Sequence, residues 1–481
     1  MIRIYCDSNV YRYLNPKHPS FNPDLLNVFE SLKDKMLFTY SDAHLHDLRN
    51  TPTSYADADL LLMGEYVKDN YFMHDFIKDK RTGPYLATPI ESFKSKDYAK
   101  YNQVLDDPFN LDRLFEGMDD FPAGELLKGM VKSIFDLPLM ALKNEAQTQQ
   151  LSAEHKEMMT KMSPNYNASM TLGEFINDMW PYSKSLLKDK RQLAEFRKYI
   201  RSYMDADDYS FEKWGLGFNE KFKNSPFGKS FLEMIGDTIS GKEKDDLYKR
   251  VTQAYTMLEL YGVTKERTKK GSKQFNMESL NTDGTHTWYA SFSDYFVTND
   301  RGLQVKSAII YQLFGLPTRI LSLSDFINSK SLLLGQEETS EKFTASLSYD
   351  LQHSLQLNEK KDLTNGNTIT TYKTTYPYFN YFNRIQIVQS KDITSYVLYC
   401  ERKSHANFYM YREIELIVNK LIAVLGLDGD QRGKYHLGED ENYDSADFIR
   451  KWDFTNLKFT LLTSSKSWGN FLCLCLDMKL S

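Results

Sequence analysis

Four aspartates stand at the ends of predicted strands or on the helices next to them. They are Asp7, Asp47, Asp283 and Asp300. Carboxyl ends of parallel strands line one edge of a sheet, so we expect these side chains to converge there. Carboxylates gathered in a poorly solvated pocket repel one another, and divalent cations relieve that repulsion. Mg²⁺ and Mn²⁺ prefer oxygen ligands, and a pair of such ions can activate a water and stabilise a leaving oxygen in phosphodiester cleavage.

Each aspartate taken singly has a second interpretation. An aspartate after a strand often caps the next helix or forms a turn through its own side chain. The order and the neighbouring residues of all four together favour an acidic site over four separate caps.

The elements that must hold these aspartates alternate between strand and helix on both sides of a long middle segment. Predicted strands at 2–6 and 36–40 are each followed by a predicted helix. After the middle segment, a helix leads to a strand at 295–298, a helix at 302–314 and a strand at 318–321. Such alternation is typical of a parallel sheet flanked by helices, and we therefore predict an α/β fold.

Two stretches near the beginning of the chain resemble the acidic motifs of PIN-domain nucleases. The first is the strand and turn at 4–10, IYCDSNV, with the Asp-x-Asn pattern of that family. The second is the helix at 41–48, SDAHLHDL. The family usually has Glu at the position of Asp47, and the Asp side chain is shorter.

The later part of the chain is similar to the remaining motifs of the same family. Asp283-x-x-His286 resembles the third acidic position, and Asp300 closes a strand with the apolar-Val-Thr-x-Asp ending of the fourth. The stretch 316–326 fits a last strand and helix.

The resemblance implies a metal-dependent endonuclease, a hydrolase that most often cleaves single-stranded or structured RNA. It makes the four aspartates the catalytic residues and the ligands of Mg²⁺ or Mn²⁺. Further residues are expected to orient a carboxylate or a phosphate: Asn9, Asp294, Thr298 and His286. Three of these have a competing structural interpretation, with Asn9 as a turn residue, Asp294 facing solvent and His286 as a buried histidine with satisfied hydrogen bonds.

Nucleic acid would need a local basic patch, because the chain as a whole is slightly acidic. With 60 Lys and Arg against 65 Asp and Glu, the net charge is −5. We expect phosphates to contact a basic stretch upstream of Asp283, although a solvated surface explains the same charges. That stretch comprises Lys265, Arg267, Lys269, Lys270 and Lys273. The aromatic run 376–382 is either a surface on which bases stack, or a buried β core or a protein interface.

The chain of 481 residues is predicted to contain a PIN-like core with two additions. The core comprises residues 1–54 and 281–334. An all-helical insertion occupies 55–280, and an α+β domain of unknown role occupies 335–481. Its first predicted strand is the alternating run at 342–349.

We expect a cytoplasmic protein without a membrane partner. No uncharged apolar run approaches the ~18 residues that a membrane helix needs, and the four cysteines lack zinc-ligand spacing. RNA is the expected partner, and a homo-oligomer or a regulatory protein partner is left open. The alternative functions are a catalytically degenerate PIN-like module that binds RNA or protein, and a structure-specific DNA nuclease.

Overall fold

A computed structural model gives the structure of the protein. It describes residues 1–49, 51–75, 81–96, 157, 160–165, 182, 191–192, 195, 217–224, 228–239, 246–260, 277–334, 339–361, 367–390, 393–436, 448–455, 457–464 and 471–479. Two sheets organise these residues, one of six strands and one of seven.

The first sheet is largely parallel. Its strands are β1 (Arg3–Cys6), β2 (Leu37–Ser41), β3 (Asn70–His74), β4 (Thr82–Leu86), β5 (Tyr295–Val297) and β6 (Arg319–Leu321). They lie in the order β4-β3-β2-β1-β5-β6, and only the pair β3 and β4 is antiparallel. The carboxyl ends of β2, β1 and β5 are therefore neighbours at one edge of the sheet, with β1 in the middle.

Helices flank this sheet and connect its strands. They are α1 (Ser8–Arg12), α2 (Pro23–Leu32), α3 (Asp42–Leu48), α4 (Thr53–Val67), α5 (Pro89–Lys94), α6 (Phe218–Lys221), α7 (Phe231–Thr238), α8 (Leu247–Leu260), α9 (Met277–Ala290), α10 (Arg301–Phe314), α11 (Leu323–Asn328) and α12 (Lys330–Leu334). Their ends follow from local chemistry. The Asn22 side chain caps α2 ahead of Pro23, and Ser41 caps α3. Gly315 ends α10 with φ +61°, a conformation that favours glycine.

The second sheet is antiparallel throughout. Its strands are β7 (Gln356–Lys361), β8 (Thr368–Tyr378), β9 (Phe382–Gln389), β10 (Ile393–Tyr399), β11 (Phe448–Asp453), β12 (Leu457–Ser464) and β13 (Phe471–Lys479), in the order β11-β12-β13-β10-β9-β8-β7. Helices α13 (Ser340–His353) and α14 (Tyr411–Leu425) accompany it. The apolar face of α14, with Ile417, Val418 and Leu421, is buried.

One apolar core is shared by the two sheets. Phe292, just before β5, stacks on Phe408 with ring centroids 5.9 Å apart, and Phe72 of β3 meets the same ring. A separate core covers the other face of the first sheet, where Phe29 of α2 stacks on Phe38 of β2. With both faces covered, every residue of the central strands β1 and β2 is buried.

The mixed α/β architecture with a parallel sheet agrees with the sequence prediction, but two local predictions are wrong. The segment predicted to be all-helical contains β3 and β4, which extend the first sheet. Residues 70–74 are nearly all buried, so β3 lacks the alternation that would have marked it as a strand. The predicted strand at 342–349 lies within helix α13, which Thr339 caps.

The aromatic run 376–382 belongs to the core. Tyr378, Phe379, Tyr381 and Phe382 are all buried, which favours its interpretation as a buried β core. Within the described ranges, no helix combines the length and the apolar character needed to cross a bilayer.

Candidate acidic site

Asp7 follows β1 directly and is held on both of its carboxylate oxygens. Oδ1 accepts hydrogen bonds from the backbone N–H groups of Asn9 at 2.9 Å and Val10 at 3.1 Å, which caps α1. Oδ2 accepts the hydroxyl of Thr298. Burial raises the pKa of Asp7, and the hydrogen bond from Thr298 and the nearby His286 only partly offset that effect.

Thr298 joins the carboxyl ends of β1 and β5. Its side chain is fully buried, and while its hydroxyl donates to Asp7, its oxygen accepts the backbone N–H of Asp300 at 3.1 Å. Asp300 caps α10 by accepting the N–H of Leu303 at 3.0 Å, and it lies exposed at the surface. The predicted role of Thr298 in orienting a carboxylate thus has a direct geometric basis.

Asp47 reaches the same edge from α3. Its Oδ2 accepts a hydrogen bond from Nε2 of His286 at 3.0 Å, and its side chain is 31% exposed while that of His286 is buried. Burial acts to raise the pKa of Asp47, but the hydrogen bond and charge of His286 outweigh it and lower that pKa. This contact arises because α3 packs against α9.

Asp283 lies on α9, one turn before His286. Among the described residues, its carboxylate accepts no hydrogen bond and forms no ion pair. Burial raises the pKa of Asp283 well above its ordinary value, and the charge of Lys306 acts in the opposite direction. The charges of Asp47, Asp300 and Asp7 raise it further.

The four aspartates therefore act on one another through space, although they come from four separate segments of the chain. This mutual repulsion in a partly buried setting is the condition that a cation relieves. The set offers only carboxylate oxygens, which fit a hard divalent cation such as Mg²⁺ or Mn²⁺. The hydrogen bonds to Asp7 leave a lone pair available to bind a cation, because each carboxylate oxygen has two lone pairs. Among the described residues, no group of three or more His, Cys, Asp or Glu side chains is placed to hold a metal ion.

The other predicted supporting residues divide between the two edges of the sheet. Asn9 lies at this edge, where its N–H donates to Asp7 and its Oδ1 accepts Nη1 of Arg12 at 3.3 Å. Asp294 does not. It precedes β5 at the opposite edge, where it accepts the backbone N–H of Arg3 at 2.8 Å and forms an ion pair with Arg402 at 2.8 Å. Its prediction as a supporting residue is corrected for that reason.

The five basic residues expected to contact phosphates lie outside the described residues. They are Lys265, Arg267, Lys269, Lys270 and Lys273.

Two residues with a clear place in the site were absent from the sequence prediction. The hydroxyl of Tyr5, in the middle of β1, forms a hydrogen bond of 2.8 Å with Nδ1 of His286. Lys306 is buried in an ion pair with Glu259 at 2.6 Å, and its charge acts on Asp283. A signal for Lys306 existed, since it stands on the apolar face of α10, where a lysine requires a partner.

No protein-family model, no curated protein and no solved structure matches this chain. Function therefore has to be argued from the chemistry of the site itself.

Proposed function

We propose that the protein is a metal-dependent endonuclease of PIN-like type that hydrolyses phosphodiester bonds in RNA. The observation that carries the proposal is that Asp7 and Asp300, which follow strands β1 and β5, and Asp47 of α3 all lie within electrostatic reach of Asp283 on α9. The charges of Asp7 and Asp300, which are almost 300 positions apart along the chain, both raise the pKa of Asp283. A fold gains no stability from gathering carboxylates in this way, so their convergence points to a ligand of opposite charge.

Three of the four aspartates have distinct parts in this proposal. Asp7 and Asp300 are linked through Thr298, and as the two helix caps at adjacent strand ends they form the rigid part of the site. Asp283 lacks a protein partner among the described residues and would gain most from a cation. A bound Mg²⁺ or Mn²⁺ would supply positive charge beside the phosphate and make a water nucleophilic at neutral pH.

Substitution of Asp7 or Asp300 by Asn tests this role with little disturbance of the fold. Asn caps helices as well as Asp does, so each variant keeps its cap. Asp300→Asn loses only its charge, whereas Asp7→Asn also loses the Oδ2 that accepts the Thr298 hydroxyl. We expect each to lower the rate of RNA cleavage in Mg²⁺ or Mn²⁺ by at least about a hundredfold. Asp34→Asn is the matched control, because Asp34 is 76% exposed and precedes β2 at the other edge. Cleavage that survived both site substitutions unchanged would refute the proposal.

The choice of RNA over DNA rests on the resemblance. Digestion of single-stranded RNA, single-stranded DNA and flapped DNA under the same conditions separates the two substrates. Preferential cleavage of the flapped DNA would replace RNA by the structure-specific DNA alternative.

One observation favours a second candidate, a degenerate module that binds RNA or protein without cutting. Among the described side chains, no group of three His, Cys, Asp or Glu is placed to hold one ion. That alternative predicts RNA binding without cleavage and no heat of Mn²⁺ binding. The endonuclease predicts cleavage that depends on the divalent cation.

A further inference from the structure

A line of hydrogen bonds, buried except for its last member, ends on one of the carboxylates of the acidic site. The Ser41 hydroxyl lies 2.7 Å from the Tyr5 hydroxyl, which lies 2.8 Å from Nδ1 of His286. Nε2 of His286 lies 3.0 Å from Oδ2 of Asp47. Ser41, Tyr5 and His286 are all buried, and only Asp47 reaches the surface.

The direction of the last hydrogen bond follows from its acceptor. An ionised carboxylate only accepts, so Nε2 of His286 carries the proton it shares with Asp47. The other ring nitrogen faces the Tyr5 hydroxyl, which can accept or donate, so the imidazole is held from both sides in either protonation state. The imidazole ring therefore cannot turn away from Asp47 without breaking both hydrogen bonds, of which the one to Tyr5 is buried.

The neighbouring His44 makes only a long contact with the same hydroxyl, with its Nδ1 3.4 Å from the Tyr5 oxygen. Nε2 of His44 donates to the carbonyl oxygen of Cys6 at 2.7 Å, and its Nδ1 accepts the N–H of Ser41 at 3.1 Å. Its ring packs edge-on against that of His286 with centroids 4.9 Å apart. His44 thus supports the His286 ring while Tyr5 sets its orientation.

We propose that His286 is a positioning residue that fixes the carboxylate of Asp47 at the acidic edge, with Tyr5 holding the imidazole from behind. This inference rests on the proposed function and adds to it the way the second acidic position is built. The shorter side chain at position 47, where PIN-domain nucleases usually have Glu, would then be held in place by the imidazole. Outer partners of this kind orient metal-binding carboxylates in other proteins, and their loss costs 10–100-fold in affinity or activity.

The proton between Nε2 of His286 and Asp47 can be observed without measuring RNA cleavage. The nine histidines of the chain are labelled with ¹⁵N, and the His286 signal is identified by its loss in His286→Gln. We expect a protected Nε2–H signal in the metal-free protein that is lost in Asp47→Ala, where the proton has no acceptor. A His286 ring with its only proton on Nδ1 would overturn the proposal.

The functional test compares two replacements of His286. Leu removes the donor to Asp47, whereas the amide of Gln keeps an N–H donor near the position of Nε2. We expect His286→Leu to weaken Mn²⁺ binding, measured by calorimetry with Mn²⁺ alone, by 10–100-fold and to lower kcat for RNA with little change in KM. We expect His286→Gln to restore both to within about threefold.

His405→Gln serves as the control, because His405 contacts Ser291, just past the carboxyl end of α9. Equal Mn²⁺ affinity in His286→Leu and wild type, or a Gln variant no better than the Leu variant, would contradict a positioning role. If His286→Leu fails to fold, Tyr5→Phe takes its place, with a smaller loss of Mn²⁺ affinity expected and an unchanged affinity counting against the proposal. Absence of cleavage by the wild-type protein would remove the endonuclease function, whereas the ¹⁵N measurement would still decide whether His286 holds Asp47.

Discussion

The two ends of strand β1 both bury charged groups, but they do so in opposite ways. At the amino end, the guanidinium of Arg3 binds both carboxylate oxygens of Glu413 at 2.9 and 2.8 Å, and both side chains are fully buried. Arg402 pairs with Asp294 alongside. At the carboxyl end, Asp7 meets further carboxylates, and among the described residues no Lys or Arg forms an ion pair with Asp7, Asp283 or Asp300.

The pKa values separate these ends just as clearly. Burial opposes ionisation of Glu413, yet Arg3 and the other nearby positive charges lower its pKa to about 2. Burial likewise opposes ionisation of Asp294, and Arg402 lowers its pKa. Burial raises the pKa values of Asp7 and Asp283, with too little positive charge nearby to reverse it. Paired charge at one end joins the two sheets, whereas unbalanced charge at the other end is suited to bind a cation.

The largest expected effect comes from breaking the paired end. Arg3→Met leaves the carboxylate of Glu413 buried without its main partner, which should lower the free energy of unfolding by about 3–5 kcal/mol. Urea denaturation measures this loss. The double variant Arg3→Met/Glu413→Leu removes both charges and should recover most of it. A single variant as stable as wild type would show that the pair does not join the sheets.

The corresponding change at the unbalanced end should raise the free energy of unfolding rather than lower it. Asp283→Asn removes a carboxylate that is buried among like charges, so the free energy of unfolding at pH 8 should rise by about 1 kcal/mol. Asp34→Asn, at an exposed position, should leave stability unchanged within about 0.5 kcal/mol. Destabilisation by Asp283→Asn would mean that its carboxylate is paired and would weaken the contrast between the two ends.

The two ends should also respond differently to pH. A raised pKa means that folded Asp283 holds its proton to a higher pH than the unfolded chain, so its contribution to stability falls as pH rises through that window. The gain from Asp283→Asn should therefore be largest at pH 8 and vanish as pH falls towards about 4. Glu413, with its pKa lowered to about 2, contributes stability above pH about 4.3 that is lost as pH falls towards 2. Denaturation curves from pH 3 to pH 8 test both trends, and a gain independent of pH would contradict the first.

An effect of similar size should come from the hydroxyl that links the two strand ends. Thr298→Val keeps the shape of the side chain and removes its hydrogen bonds to Asp7 and Asp300, which should cost about 1–2 kcal/mol. Thr39→Val is the matched control in the same sheet, since the bonds of Thr39 are long at 3.3 and 3.4 Å. Equal losses in the two variants would show that Thr298 has no special place.

Much of the acidic edge could be predicted from the sequence, because its parts lie next to strong local signals. Asp7 and Asp300 each follow a short apolar run directly, and such a run marks a strand and its end. The same reasoning misjudged Asp294, which also borders β5, because the arginine that pairs with it lies 108 residues further along the chain. Periodicity cannot reveal a partner at that distance.

The same limit applies to the hydrogen bond between Tyr5 and His286, whose residues are 281 positions apart. It applies to β3 and β4 as well. A short strand buried on both faces has no alternating pattern, and its place in the sheet depends on β2, some thirty residues earlier. Local chemistry predicts where an element ends, whereas packing decides which ends meet.

Calorimetric titration with Mn²⁺ tests most directly whether the unbalanced charge forms a cation site. The wild-type protein and the double variant Asp7→Asn/Asp300→Asn are compared at equal concentration, after denaturation curves have shown that both are folded. We expect saturable Mn²⁺ binding by the wild-type protein and none by the double variant. Equal binding by both proteins, or no binding by either, would contradict the proposed cation site.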